Sequence, residues 1–220
     1  MNIFDIIGPI MVGPSSSHTA GAVRIGLVTR HLLAQEPVSA TITLHGSFSA
    51  TGFGHGTQKA IIAGLLGMLQ DDMRIPQSDV IANQLGFEYN FEYKTIKDAH
   101  PNTALIHVIG RNGREIEVQA SSIGGGRILI NKIDGILVNF SGEQNTLIVH
   151  NIDQPGHVAE VTSTLSHKSV NIATMQLFRD ARGGYAVMVI ETDQDIPNES
   201  IDWLNHLEGV IKVTYLSAVK

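Results

Sequence analysis

The last 75 residues change their hydrophobic period in an order that leaves few folds open. Thr146 to Asn151 (TLIVHN) is a short apolar run with β propensity. Asp153-Gln-Pro-Gly156 then offers a capping carboxylate and a proline suited to the first turn of a helix. Val158, Val161, Thr162 and Leu165 follow at i, i+3, i+4 and i+7, the spacing of one helical face. Asn171 to Phe178 and Tyr185 to Glu191 read as strands joined through Arg182-Gly183-Gly184, a hairpin signal. A second helix is expected over Ile196 to Leu207, starting near Pro197, and Val210 to Leu216 closes the set. The order β-α-β-β-α-β is a ferredoxin-like split unit.

The chain ahead of it has a different texture. Residues 1–140 carry ten basic and eleven acidic side chains, whereas residues 141–220 carry five and ten. The first 70 residues hold five charged side chains (Asp5, Arg24, Arg30, Glu36, Lys59) and ten of the 22 glycines. An independent domain normally surrounds its core with charge, so a surface this neutral is expected to be covered by another polypeptide; a small-residue core within one large domain is the alternative. Helices are expected over Ala20 to Leu33 and Thr57 to Leu69, with a short one near Pro76. Strands are expected over Pro37 to Leu44, Glu88 to Tyr93, Thr103 to Ile109, Glu115 to Ala120 and Arg127 to Asn131. Asn112-Gly113 is a strong hairpin turn between two of them. The fold class is therefore α+β: a mixed α/β N-terminal domain over 1–140, then the βαββαβ domain over 146–220, divided near Phe140 to Asn145.

Composition excludes several function classes. A net charge of −6 with pI about 5.9 argues against a nucleic-acid or membrane-surface binder. The longest apolar run, Ala60 to Leu69, is far short of the ~20 residues of a membrane helix. Met1 to Val12 has no basic region of the kind that opens a secretion signal, so the expected location is the cytoplasm. The cysteine count is zero, which leaves no disulfide, no thiol nucleophile and no thiolate to hold zinc or an iron–sulfur cluster on this chain. Imidazole from the ten histidines is the remaining acid–base group suited to neutral pH.

Four loops concentrate the polar chemistry. Gly13-Pro-Ser15-Ser16-Ser17-His18-Thr19 precedes a helix, where backbone N–H groups and hydroxyls can cradle a carboxylate or phosphate; a well-capped helix start explains the same residues. Thr51-Gly-Phe-Gly-His55-Gly-Thr57 sets one histidine among three glycines, a way to present a general base, or else a flexible turn with a surface histidine. In His100-Pro-Asn102-Thr103, the proline stiffens a turn that can aim His100 and Asn102 at one ligand, or merely forms an Asx turn. Ser121-Ser122-Ile-Gly-Gly-Gly126 is a hinge, a bulge or a point of close approach. None is a dinucleotide fingerprint or a nucleophile elbow. His31, His107, His167 and His206 fall inside helix or strand patterns and are read as structural or surface residues.

Taken together, GPSSSHTAG (13–21), HGSFSATGFGHGT (45–57), HPNT (100–103), SIGGG (122–126) and the C-terminal unit resemble the beta subunit of the bacterial iron–sulfur-dependent L-serine dehydratases. The C-terminal unit resembles an ACT domain, a module that binds amino acids at paired interfaces or simply pairs chains. The resemblance implies an ammonia-lyase that converts L-serine to pyruvate and ammonia through aminoacrylate. It also implies a partner alpha subunit carrying the [4Fe-4S] cluster, in keeping with the missing cysteines. His55 is then expected to be the base or a residue near the cluster. His100 and Asn102 match the segment implicated in serine recognition at a regulatory site; Ser15, Ser16, Ser17, His18 and Thr19 are likewise expected to bind substrate or an allosteric ligand, with His18 and the serines before it lining the contact with the alpha chain. Asn151 and Asn171 match the ACT ligand positions. A rival reading makes the chain a non-catalytic amino-acid sensor acting through its ACT-like unit. A pyridoxal-phosphate lyase is disfavoured, because none of the seven lysines lies in the four loops.

Overall fold

A computed structural model of the protein describes residues 10–52 and 54–218. Of Met1 to Val12, the stretch read for a secretion signal, residues up to Pro9 lie outside the described part, as does Phe53 of the second polar loop. The chain divides into two compact units, residues 1–135 and 136–220.

The first unit contains α1 (Gly21–Leu33), β1 (Pro37–Leu44), α2 (Gly46–Thr51), α3 (Thr57–Leu65) and α4 (Ser78–Gln84). These are followed by β2 (Glu88–Tyr93), β3 (Thr103–Gly110), β4 (Glu115–Gly124) and β5 (Arg127–Ile133). Its strands lie in the order β2-β1-β3-β4-β5, with β2 parallel to β1 and the others antiparallel. Helix α1 packs on β3, β4 and β5, and α3 packs on α1. Three differences from the sequence expectation stand out. Gly46–Thr51 forms a one-and-a-half-turn helix that the sequence reading did not include, α3 ends at Leu65, and β4 runs on through Ser122 to Gly124. A six-residue helix has no room to display a 3.6-residue period, which is why pattern reading passes over it.

The α1–α3 contact is unusually close. A side chain at Gly64 would land on the Val23 carbonyl oxygen, and one at Gly26 on the Ile61 carbonyl oxygen. The two helices therefore touch backbone to backbone, and they run in the same direction. Thr57 bonds to His18 at one end, and the Arg30 guanidinium donates to the Leu65 carbonyl at 3.0 Å at the other. Their N-terminal ends consequently meet at one place.

The second unit opens with β6 (Ile136–Phe140), which the sequence reading did not include. It continues with β7 (Asn145–Ile152), α5 (His157–His167), β8 (Ile172–Arg179), β9 (Tyr185–Thr192), α6 (Asn198–Asn205) and β10 (Val210–Leu216). The strand order β10-β7-β9-β8 is that of the expected ferredoxin-like unit. Strand β6 packs against β8 and β9. Leu147, Val149, Met188 and Ile190 meet Val161, Leu165 and Leu204 in the core between sheet and helices. Two local expectations need correction. Asp153 does not cap α5: Gly156 is the N-cap residue, and the Asp153 carboxylate instead accepts from Arg179 Nη1 at 3.0 Å and Gly183 N at 3.1 Å. Val161 and Leu165 of the expected α5 stripe are buried, but Val158 faces solvent and His157 takes the buried place at the start of the helix.

His157 is buried with neither ring nitrogen hydrogen-bonded, its Nε2 close against Gly209. The Glu160 carboxylate stands 3.9 Å from Nδ1, beyond hydrogen-bond reach.

Two stability predictions follow from these contacts. Gly64→Ala forces the α1–α3 backbones apart and should cost about 1–3 kcal/mol, lowering the melting temperature by about 2–4 °C per kcal/mol. Gly54→Ala, whose new methyl meets nothing closer than 3.8 Å, should melt as the parent does. Equal melting of the two variants contradicts the close contact. His157→Leu removes two unsatisfied buried nitrogens at similar volume and should raise the melting temperature; a fall would show that the imidazole is held by an interaction that leucine cannot replace.

Candidate functional site

The shared N-terminal end of α1 and α3 carries two of the four polar loops. Ser15 stands in extended backbone and its Oγ accepts from His18 N at 3.1 Å, starting a single π turn over Ser16–Ala20 that runs into α1. Ser16 and Ser17 lie half-buried in that turn, and π turns of this kind are frequent at functional sites. Two threonines then tie the loops together reciprocally. Thr19 Oγ1 donates to the His55 carbonyl at 3.1 Å, and Thr57 Oγ1 donates to the His18 carbonyl at 3.0 Å.

This tie brings the His18 and His55 rings to a centroid separation of 4.9 Å. His55 Nδ1 lies 3.0 Å from the Thr51 carbonyl. A carbonyl only accepts, so the proton of the neutral ring sits on Nδ1 and the basic lone pair on Nε2. His18 Nε2 meets two hydroxyls, Ser47 Oγ at 3.1 Å and Thr51 Oγ1 at 3.2 Å. Thr51 thus holds both histidines, one through its carbonyl and the other through its hydroxyl. Burial holds the His18 pKa below the ordinary imidazole value of 6.5, and the charge on His55 pushes the same way, against an opposing hydrogen bond to the Ser47 backbone. His18 is accordingly neutral at pH 7.

The other two loops close on the same place. Gly46 adopts φ +57° directly beneath Pro101, where any side chain would strike the Pro101 backbone, and Ser47 N donates to the Pro101 carbonyl at 2.7 Å. Ser122 N donates to the Asn102 carbonyl at 2.9 Å, and Asn102 Nδ2 lies 3.5 Å from the Ser122 carbonyl. Ser122 is fully buried against Gly21, at the start of α1, and its hydroxyl has no hydrogen-bond partner. The four loops therefore form a ring: first to second through the threonines, second to third through α2, which runs from the Pro101 contact at Gly46 to Thr51, third to fourth at Asn102, fourth to first at Gly21. His100 and Asn102 share a tight turn, with His100 Nδ1 accepting from Asn102 N at 3.1 Å, so their polar groups are partly spent on each other. Thr51, Thr57 and Ser47 carry much of the geometry. They were visible only as small polar residues beside the histidines.

A cavity of about 600 Å³ adjoins this ring, with His55 in its wall. Lys59 crosses its rim, donating to the Pro76 carbonyl at 2.8 Å and pairing with Asp79 at 3.1 Å. No group of three or more histidine, aspartate or glutamate residues capable of holding a metal ion occurs among the described residues, and the sequence has no cysteine. The side chains of this chain do not fit a resident iron–sulfur cluster.

In the second unit, Asn151 is buried, with Nδ2 donating to the Ile152 carbonyl at 2.7 Å and Oδ1 left without a partner. Asn171 is exposed, and its Nδ2 donates to Asp193 at 2.6 Å. Asn151 lies opposite Ala186 and Asn171 precedes Ile172, which lies opposite Thr192. Six residues of β9 separate the two asparagines, roughly 20 Å at strand rise. They are not brought together within one chain.

Comparison with known proteins places this arrangement. A family profile described as "Serine dehydratase beta chain" matches residues 2–88, and one described as "ACT domain" matches residues 145–202. The probable L-serine dehydratase beta chain of Bacillus subtilis is 41% identical over 216 residues, 98% of either chain. The L-serine dehydratase beta chain of Peptoniphilus asaccharolyticus is 38% identical over 194 residues, covering 88% of this chain and 87% of that one. L-serine dehydratase 2 of Escherichia coli is 42% identical over 81 residues, 34% of this chain and 17% of that protein. With its paired histidine loops, its βαββαβ unit and relatives matching along nearly all its length, the chain belongs to the L-serine dehydratase beta-chain family and ends in an ACT domain.

Proposed function

We propose that this chain is the beta subunit of a cytoplasmic L-serine ammonia-lyase, completed by an alpha subunit that holds a [4Fe-4S] cluster, and that His55 is its base. The observation that carries the reading is the bond from His55 Nδ1 to the Thr51 carbonyl, which sets the tautomer and frees Nε2. Removal of the Cα proton of serine needs a basic lone pair of this kind, held in orientation. The N-terminal ends of α1 and α3 converge beside it, and their partial positive charge suits the substrate carboxylate. His18, neutral and bonded to two hydroxyls, adds no competing cation and can bond to the amino or hydroxyl group of serine. The deprotonated substrate then expels its β-hydroxyl as hydroxide, which leaves as water once it takes up the proton His55 accepted; the aminoacrylate that remains tautomerises to the imine and is hydrolysed to pyruvate and ammonia. The cluster, when bound on the partner, supplies a Lewis acid for the departing hydroxyl.

In the C-terminal unit the buried, unpartnered Asn151 Oδ1 is a ready acceptor for an amino group. Because Asn171 sits at the other end of the sheet, one ligand touches both asparagines only across two copies. This supports self-association through the ACT domain with serine bound between copies. The same unit, acting alone, is what the sensor reading would rest on.

Anaerobic assay of pyruvate release from L-serine separates these readings. Turnover is expected with the cluster-loaded alpha chain and not with this chain alone, and His55→Ala should lower it at least ~100-fold. Near-parental turnover in that variant removes the base assignment. Amino-acid binding without turnover in either preparation supports the sensor. The electrostatics give a second check by NMR titration: His55→Ala should raise the His18 pKa toward 6.5, yet not fully, because burial persists. An unchanged or lowered value contradicts the coupling of the two rings.

A further inference from the structure

The cavity beside His55 is larger than a serine site requires. At about 600 Å³ it matches the space taken by a drug-sized ligand or by several protein side chains. Its walls are apolar and aromatic. Tyr89, Phe91 and Tyr93 project from alternate positions of β2, and Ile62 and Ile75 face them. The one ion pair at the rim, Lys59 with Asp79, is internally neutralised, so the cavity offers no net charge to a ligand. Tyr93 is 55% exposed, and Met73 and Val80 along the same stretch of chain are also exposed apolar side chains. Strand β2 is an edge strand of its sheet. The first 70 residues of the chain, which supply His55 and Ile62 to the cavity wall, carry five charges, too few for a surface left to water.

We infer that this cavity seats an uncharged, apolar segment of the alpha chain, its side chains packed between the β2 rings and α3. The inference rests on the function proposed above and adds where the partner docks. Neutral walls select a neutral plug, since a charged group would lose its hydration with no opposite charge to meet. The same cavity has His55 in its wall, and this chain supplies neither a thiolate nor a metal-binding cluster among its described residues. A segment seated here would bring the partner to the face of the site that this chain leaves incomplete. Serine alone would leave most of the apolar wall in contact with water.

The test measures binding of the purified alpha chain to this chain, anaerobically, with hydrogen exchange followed across residues 87–93. Tyr93→Asp sets a charge at the cavity mouth on an already exposed side chain, and should weaken the complex at least ~10-fold. Tyr93→Phe should bind as the parent does, and so should Leu85→Asp, an equally exposed position outside the cavity lining. The β2 amides of the parent should exchange more slowly once the alpha chain is added. Parental affinity in Tyr93→Asp, or unchanged β2 exchange in a formed complex, overturns the docking inference and leaves the proposed function standing. Failure of the parent chain to bind the alpha chain at all overturns both.

Discussion

The contact between Gly26 and Gly64 lets two helices lie backbone against backbone, and the geometry of the N-terminal unit descends from it. A side chain at either position would strike a carbonyl of the facing helix. Because α1 and α3 run the same way, fixing their separation also fixes the distance between the loops at their starts. His18 and His55 belong to those loops, and Thr19 and Thr57 each bond to the carbonyl of the other loop's histidine. Two partial positive charges therefore meet at the place where two imidazoles lie side by side. Burial, with the neighbouring His55, keeps His18 neutral, and the helix ends suit an anion better than a cation.

Charge and shape support a division of labour between chains. The site has an imidazole of fixed tautomer, hydroxyls beside it and two helix N-termini, all on one polypeptide. It has no thiolate, and the described residues form no metal-binding group. The adjoining cavity is neutral and apolar, as an interface core is, and depletion of charge is the compositional mark of such cores. The C-terminal unit differs in character. It holds ten acidic residues against five basic ones over 141–220, and its two candidate ligand residues lie at opposite ends of one sheet.

Much of the fold was legible in the sequence where local chemistry decides it. Asn112-Gly113 marked its hairpin, and the changes of period after Thr146 specified the βαββαβ order, which the strand order bears out. What escaped was short or non-local. Gly46–Thr51 is too brief to show a period, and the parallel pairing of β2 with β1 depends on residues some fifty positions apart. Asp153 had the right residue type for a cap, but the Pro155-Gly156 turn moves the helix start past its reach and leaves the carboxylate to staple the β8–β9 hairpin. At the site, clusters of glycine, serine and histidine announced four loops. Their closure into a ring depended on Gly21, Gly46 and Pro101, whose role is to let backbones approach, and such contacts leave no periodic trace. The reciprocal threonines were equally hidden, since a threonine at a helix start reads as an ordinary capping residue.

The central claim is that one active site is shared between two chains, with His55 facing the substrate. The structure of the assembled complex with a bound, unreactive serine analogue tests it most directly. The account predicts His55 Nε2 about 3–3.5 Å from the analogue's α-carbon, the separation of a near-attack geometry, with the analogue's carboxylate at the starts of α1 and α3. An analogue held wholly by the alpha chain, with His55 too far away to reach its α-proton even through one water, would contradict it.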